Sequence, residues 1–456
     1  MLLNDDTKIN VSNILKDIEK KYSNEIKLLK INGQYVWPVV RYSIRNYLFS
    51  KNRIDYEVRL SSKKEKFEIM LNMVFNIFRN VKYKRINYKY TLLECQDRND
   101  QEFGDVYTYS IRKNLKNYNT ILRPALKNNG SKRVIENNVY SISFGYVIFL
   151  IKSLVVKTFN LYKTNTFIEE LCEEYNISNE FIYLDILKFF TFYKYYDSVL
   201  KKIKTNKLIL YAGYNITNLA LVKCANKKGI KTYEIQHGNF TDYDNNYHFH
   251  HEYFKEFQAY FCDTFLCFNK GFRDSLREKN SYFHNEKIVE IGFPIVHMLR
   301  RIQDVKRTKI KVLVIPTMNL DQNFINLIIN LIELMDKHKH IEIAIRFHPN
   351  VISERLIKHI NEQFKNKVKL DISPWRESII CYNYFIGEYS TTLLEADYIG
   401  KKVLLIDTRN ARKSDFIMDH PTYIKNISKD TFVEYDWNFN FVIDKIKKTD
   451  NFVKEI

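Results

Sequence analysis

A chain of 456 residues that is 45% hydrophobic and 27% charged is too long for a single core and too apolar for a disordered polymer, so it divides into two or three globular units. Its 33 Tyr and 32 Phe against 11 Gly and 7 Pro exclude a linker-rich chain and point to aromatic cores. A formal net charge of +19 favours anionic partners (nucleotides, nucleic acid or an anionic membrane) without choosing among them.

In chain order, residues 7–31 have helical spacing and Asn32-Gly33 marks a turn. Trp37-Pro38 opens a further helix with Arg41 and Arg45 four apart on one face. Residues 63–85, KKEKFEIMLNMVFNIFRNVKYKR, form a basic amphipathic stripe with two readings: a helix packed on its neighbours, or a surface lying on an anionic membrane. Residues 90–94 (YTLLE) read as the first strand. The polar loop after it carries Asp97, Arg98, Asp100 and Asp105, and a helix follows from Ser110. That loop is either solvated or the acceptor side of a site, because ligands sit at the carboxyl edge of parallel sheets.

Residues 134–204 read as helical and aromatic. Their most apolar run, 142–156, is too short to cross a bilayer and is interrupted by Lys152, which makes it a buried or surface-lying helix. Strand 207–211, helix 215–229 and strand 231–235 make a βαβ unit that delivers Gln236-His237-Gly238 onto a loop. Further strands are expected at 259–269 and 289–294, and the charged stretch 300–309 reads as a linker. A second set follows: strand 311–317, helix 323–337, strand 341–350 ending RFHPN, helix 353–364, VKLDIS, then NYFIGEYSTTLLEADYIGKKVLLID. This alternation specifies parallel, doubly wound sheets.

The last unit holds the densest chemistry. Strand 384–386 breaks at Gly387, and Ser390, Thr391 and Thr392 open a helix with Glu395 one turn in. Free amides and hydroxyls at a helix N-terminus favour a phosphate, and Glu395 is placed to bond the hydroxyls of an attached ribose. An ordinary capping box is the alternative reading. Arg346 and His348 share a face by strand alternation, and Pro349 ends the strand and presents His348 to a phosphate. His237, with an imidazole pKa near neutrality, is suited to a base or to orienting an acceptor. The YHFHH run at 247–251 has no acidic or Cys partner at useful spacing, so no metal is expected there. Six scattered Cys read as free thiols, and MLLNDDTKIN does not resemble a signal peptide, so the expected compartment is the cytoplasm.

These motifs, GIKTYEIQHGNF, RFHPN and IGEYSTTLLEA, with INGQYVWPVVR near the start, resemble the GT-B glycosyltransferases of bacterial capsule and lipopolysaccharide biosynthesis. The resemblance covers most of the chain and is best over 205–407. It implies two Rossmann-like α/β domains with helical N-terminal additions: an acceptor domain over 1–303, a donor domain over 304–425, and an extension over 426–456 that returns to the first half. It implies an inverting, metal-independent transfer from a nucleotide-sugar, with no cofactor, to a glycan or lipid-linked glycan, on the cytoplasmic side and in peripheral contact with the inner membrane.

The His-Pro and Ser/Thr pair is similar to that of polysialyl- and Kdo-transferases, which use CMP-activated acidic sugars. By that resemblance Arg346, His348, Pro349, Gly387, Ser390, Thr391, Thr392 and Glu395 hold the donor; Asp97, Arg98, Gln236 and Gly238 hold the acceptor; and His237 or Asp105 supplies the base. The Asp/Glu-rich glycine motif of sialyltransferases is absent from the sequence, a departure from that pattern. A CDP-polyol phosphotransferase of the teichoic-acid type is the first alternative. A non-catalytic protein binding nucleic acid or membrane is the second, disfavoured by the lack of any RNA- or DNA-binding signature.

Overall fold

The computed structural model describes residues 5–51, 73, 77, 87–95, 99–100, 104–124, 139–162, 165–238, 246–247, 257–278, 287–299, 309–316, 322–338, 340–347, 354–364, 367–388, 390–406, 418 and 422–424. Seven strands form the first sheet: β1 Tyr88–Cys95, β2 Tyr118–Arg123, β3 Val139–Ser141, β4 Thr205–Tyr211, β5 Lys231–Ile235, β6 Thr264–Cys267 and β7 Ile288–Glu290. They lie in the order β3-β2-β1-β4-β5-β6-β7 with every pair parallel. The second sheet has β8 Ile310–Ile315, β9 Ile341–Ile345, β10 Lys369–Leu370, β11 Tyr384–Gly387, β12 Lys402–Ile406 and β13 Thr422–Ile424. Its order is β10-β9-β8-β11-β12-β13, again all parallel.

Each sheet grows outward from its first strand in one direction and then in the other. The reversals fall between β1 and β4 and between β8 and β11. This is the doubly wound Rossmann pattern twice over, the two-domain GT-B plan expected from the sequence, with the helical additions at the N-terminus. Central strands of such sheets are covered on both faces, which is why Leu208-Ile209-Leu210 and Val312-Leu313-Val314 are apolar without alternation and fully buried.

Alternation reappears in what each face packs against. Leu313, Ile315, Phe385, Val403 and Leu405 join the large core that runs through the first sheet. Val312, Val314, Ile345, Ile386 and Leu404 point the other way, into a separate cluster under helices Gln322–Lys337 and Glu354–Gln363. One face of the second sheet therefore shares its core with the first half of the chain, and Phe293 against Tyr398 (ring centroids 4.9 Å) is part of that junction.

The N-terminal helices Asp5–Lys21 and Trp37–Lys51 are pinned by a buried charge. Glu19 is fully buried and accepts hydrogen bonds from Trp37 Nε1 (3.1 Å) and Arg41 Nε (2.7 Å). Arg41 and Arg45 thus divide their roles: Arg41 enters the core, while Arg45 lies over the Phe49 ring at 4.5 Å.

Several sequence-based expectations are revised. β2 lies beyond the helix expected from Ser110, where no strand was expected, and β3 lies in the stretch read as helical, because a three-residue strand such as β3 is too short to show a period. The helix expected from Ser110 is one turn, Tyr109–Arg112. The 259–269 strand begins as a 3₁₀ turn, Gln258–Tyr260, and only Thr264–Cys267 is extended. Of the basic stripe at 63–85, only Met73, which is buried, and Ile77 are described. The linker over 300–308, the histidines at 248, 250 and 251, and the extension at 426–456 lie outside the described residues.

Candidate functional site

In a doubly wound sheet the crevice opens beyond the carboxyl ends of the two strands where the order reverses. In the first sheet those ends are Cys95 and Tyr211, and Asp105 ties them together. Its Oδ2 accepts from Cys95 N (3.0 Å) and from the Tyr211 hydroxyl (2.8 Å), and its Oδ1 accepts from Tyr107 N (3.0 Å) and Thr108 N (3.2 Å). Burial, with the Glu94 carboxylate nearby, nevertheless pushes Asp105 up to about 6. The sequence placed Asp105 where it could take an acceptor proton. Its carboxyl is instead fully buried and bonded four times, so it holds Tyr211.

His237 follows β5, and its ring is built into an aromatic set. It stacks on Tyr211 (5.7 Å, 16°), lies 5.1 Å from Tyr107, and places Nδ1 3.3 Å from the Tyr214 hydroxyl. Tyr211 thus contacts both groups, Asp105 through its hydroxyl and His237 through its ring. Gln236, expected at the acceptor, spends its amide on the loop: Nε2 donates to Gly238 O and Oε1 accepts from Phe268 N, both at 2.9 Å. Beneath the turn, Glu234 is buried, accepts from Gly213 N (2.8 Å) and the Tyr247 hydroxyl (3.2 Å), and is raised by burial to about 7.

In the second sheet the reversal lies between Ile315 and Gly387. A β-carbon on Gly387 would come within 2.7 Å of the Ile315 carbonyl, so only glycine lets β11 end this close to β8. The chain then turns into helix Thr391–Tyr398. Ser390 caps it, its Oγ accepting from Thr392 N (3.3 Å) and lying 2.6 Å from Thr392 Oγ1. Glu395, one turn in, accepts from Trp375 Nε1, and desolvation raises it to about 7 against the effect of that donor. Trp375 was not legible as a site residue, since an aromatic after Pro374 reads as any helix start.

Arg346, expected to charge the phosphate site, is held by its own domain. Its Nη1 donates to Asp371 Oδ2 (2.8 Å), Ser373 O (2.8 Å) and Ser378 Oγ (3.0 Å), and its guanidinium lies 5.4 Å from the centre of the Trp375 ring. It thus borders Trp375, whose indole donates to Glu395. His348, Pro349, Asp97 and Arg98 lie outside the described residues.

Two of the groups picked from sequence meet in space. Gly238, at φ +76°, faces helix Thr391–Tyr398 so closely that a β-carbon there would lie 3.9 Å from Thr391 Oγ1. The turn that follows His237 in the first sheet and the N-terminus of helix Thr391–Tyr398 in the second are thus neighbours. The arrangement brings the amides and hydroxyls at a helix N-terminus near the turn that carries an imidazole. Among the described residues no group of three or more His, Cys, Asp or Glu could hold a metal ion, and no helix is long and apolar enough to cross a membrane.

No family model matches the chain, and no curated protein matches it. Among solved structures, UDP-GlcNAc 2-epimerase from Methanocaldococcus jannaschii aligns with a TM-score of 0.46 and 12% identity over 80% of this chain and 93% of that one. Another UDP-N-acetylglucosamine 2-epimerase aligns at 0.46 and 11% over 73% and 81%. The wall teichoic acid polymerase TagF with CDPG aligns at 0.40 and 14% over 87% and 93%. Likenesses this low say nothing of activity, and the functional reading rests on the site.

Proposed function

We propose that the chain is an inverting glycosyltransferase. It moves a sugar from a nucleotide-activated donor, foremost a CMP-linked acidic sugar, to a bacterial surface-polysaccharide acceptor. The observation that carries this reading is the approach of the Gly238 turn to Thr391, which sets a candidate base opposite a candidate phosphate site. The amides that open helix Thr391–Tyr398, with the Thr391 and Thr392 hydroxyls and His348, bind the leaving nucleotide phosphate. Glu395 receives the ribose hydroxyls and is aimed by Trp375. His237, held by Tyr107, Tyr211 and Tyr214, takes the acceptor proton as the acceptor oxygen attacks the anomeric carbon from the face opposite the nucleotide.

The test is calorimetry of the purified protein against CMP, CDP, UDP, UMP, GDP and dTDP, alongside His348→Ala and His237→Ala. CMP selectivity lost in His348→Ala and kept in His237→Ala, with transfer lost in both, is the expected result. CDP selectivity, with phosphorus retained in the product, would move the assignment to a polyol phosphotransferase. Binding of none of the six would leave Ser390 as a helix cap alone and remove the proposal.

A further inference from the structure

The described residues include ten exposed large hydrophobic side chains, and seven of them fall between residues 144 and 161. This stretch is helix Ser143–Thr158 and the segment that leaves it. Its first turns are anchored. Ser143, Gly145 and Tyr146 are buried, Tyr146 packs edge-on to Phe192 at 4.8 Å, and a β-carbon on Gly145 would meet the Phe192 and Tyr195 rings at 2.9 Å. Beyond Phe149 the helix stays anchored through buried Val156, but its other face is uncovered. Leu150, Ile151, Leu154 and Val155 are 54%, 59%, 65% and 46% exposed, and Phe159 and Leu161 continue the surface at 68% and 52%. A cluster of that kind costs solubility unless something covers it.

The charges around it indicate the cover. Residues 137–168 contain Lys152, Lys157 and Lys163 and no Asp or Glu. Lys152 is exposed; Lys157 is 3.4 Å from Glu180 of the neighbouring helix. A second copy docked about a two-fold axis through the middle of this face would set Lys152 against its own copy. An anionic bilayer accepts both halves of the pattern, apolar side chains in the acyl boundary and ammonium groups at the lipid phosphates. At 16 residues with a lysine at its centre, the helix lies in the interface and does not cross it.

We propose that helix Ser143–Thr158 and its continuation to Leu161 form the surface by which this protein lies on an anionic lipid bilayer. The helix begins where β3, the edge strand of the first sheet, ends. The inference is independent of the catalytic reading, because it requires neither the nucleotide nor the base.

Sedimentation of the full-length protein with phosphatidylcholine vesicles, with and without phosphatidylglycerol, tests it. The wild type is expected to bind the anionic vesicles. Leu150→Ser combined with Leu154→Ser is expected to lower that partition by at least about tenfold, with the thermal midpoint and nucleotide affinity unchanged because both side chains are already exposed. Lys152→Glu is expected to weaken binding to anionic vesicles and leave that to neutral ones alone. Three results would overturn the proposal: no wild-type binding, equal binding by the double Ser variant, or a wild-type dimer that the double variant converts to monomer.

Discussion

Gly238 and Thr391 face each other across the junction of the two sheets, with 3.9 Å between a β-carbon built on the first and Oγ1 of the second. Gly238 also sits at φ +76°, where an L side chain is strained by about 1–2 kcal/mol. Gly238→Ala should therefore lower stability by roughly 1 kcal/mol, and Gly238→Val should crowd Thr391 as well. Transfer is expected to fall further in the Val variant than in the Ala variant while nucleotide affinity holds. Denaturant titration with steady-state kinetics checks both, and equal kinetics for the two variants would separate the turn from the reaction.

Ser390 performs two tasks with one oxygen, capping the helix and fixing the Thr392 hydroxyl. Ser390→Ala should cost about 1 kcal/mol of stability through the cap and weaken nucleotide binding. Thr391→Val keeps the shape and the cap, so it should weaken nucleotide binding without the stability loss. Calorimetry paired with thermal unfolding distinguishes them, and full affinity in Thr391→Val would take that hydroxyl out of the phosphate site.

Glu234 is raised by burial from 4.5 to about 7. The folded state then binds a proton that the unfolded chain has released, so its stabilising effect is complete below pH 4.5 and is lost as pH rises to about 7. The displacement corresponds to about 3 kcal/mol across that window. Glu234→Gln should flatten the fall in stability over the same range, measured by urea unfolding at several pH values; an unchanged slope would place the titration elsewhere.

Glu395 is raised to about 7 as well, so its carboxyl gains a proton as pH drops below neutrality. If it accepts ribose hydroxyls, nucleotide affinity should weaken on acidification through pH 7, and Glu395→Gln should remove that dependence. Affinity measured from pH 6 to 8 decides the point, and a parallel dependence in wild type and variant would exclude the role.

The Glu19–Arg41 pair lies in the core with side chains 0% and 4% exposed. Arg41→Met removes the guanidinium that lies beside the buried Glu19 charge, which should cost about 3–5 kcal/mol. Glu19→Gln combined with Arg41→Met should recover most of it. A double variant no more stable than Arg41→Met would show that packing, and not the stranded charge, sets the loss.

Runs of Val, Ile and Leu such as 207–211 and 311–315 made the parallel sheets legible from the sequence, because a strand buried on both faces has no polar positions to spare. Gly387, Ser390 and Gly238 were legible for a similar reason: a tight turn and a helix start restrict residue type locally. The tertiary structure decided what local pattern does not encode. A carboxylate in a polar loop reads alike whether solvated or buried, and only the meeting of β1 with β4 added the Cys95 amide and the Tyr211 hydroxyl to the two local amides around Asp105. Arg346 was a free cation in the sequence until Asp371, 25 residues on, was folded beside it. The apolar helix after β3 could be placed as buried or surface-lying by composition, and only the packing of the rest of the chain showed which side chains had been left uncovered.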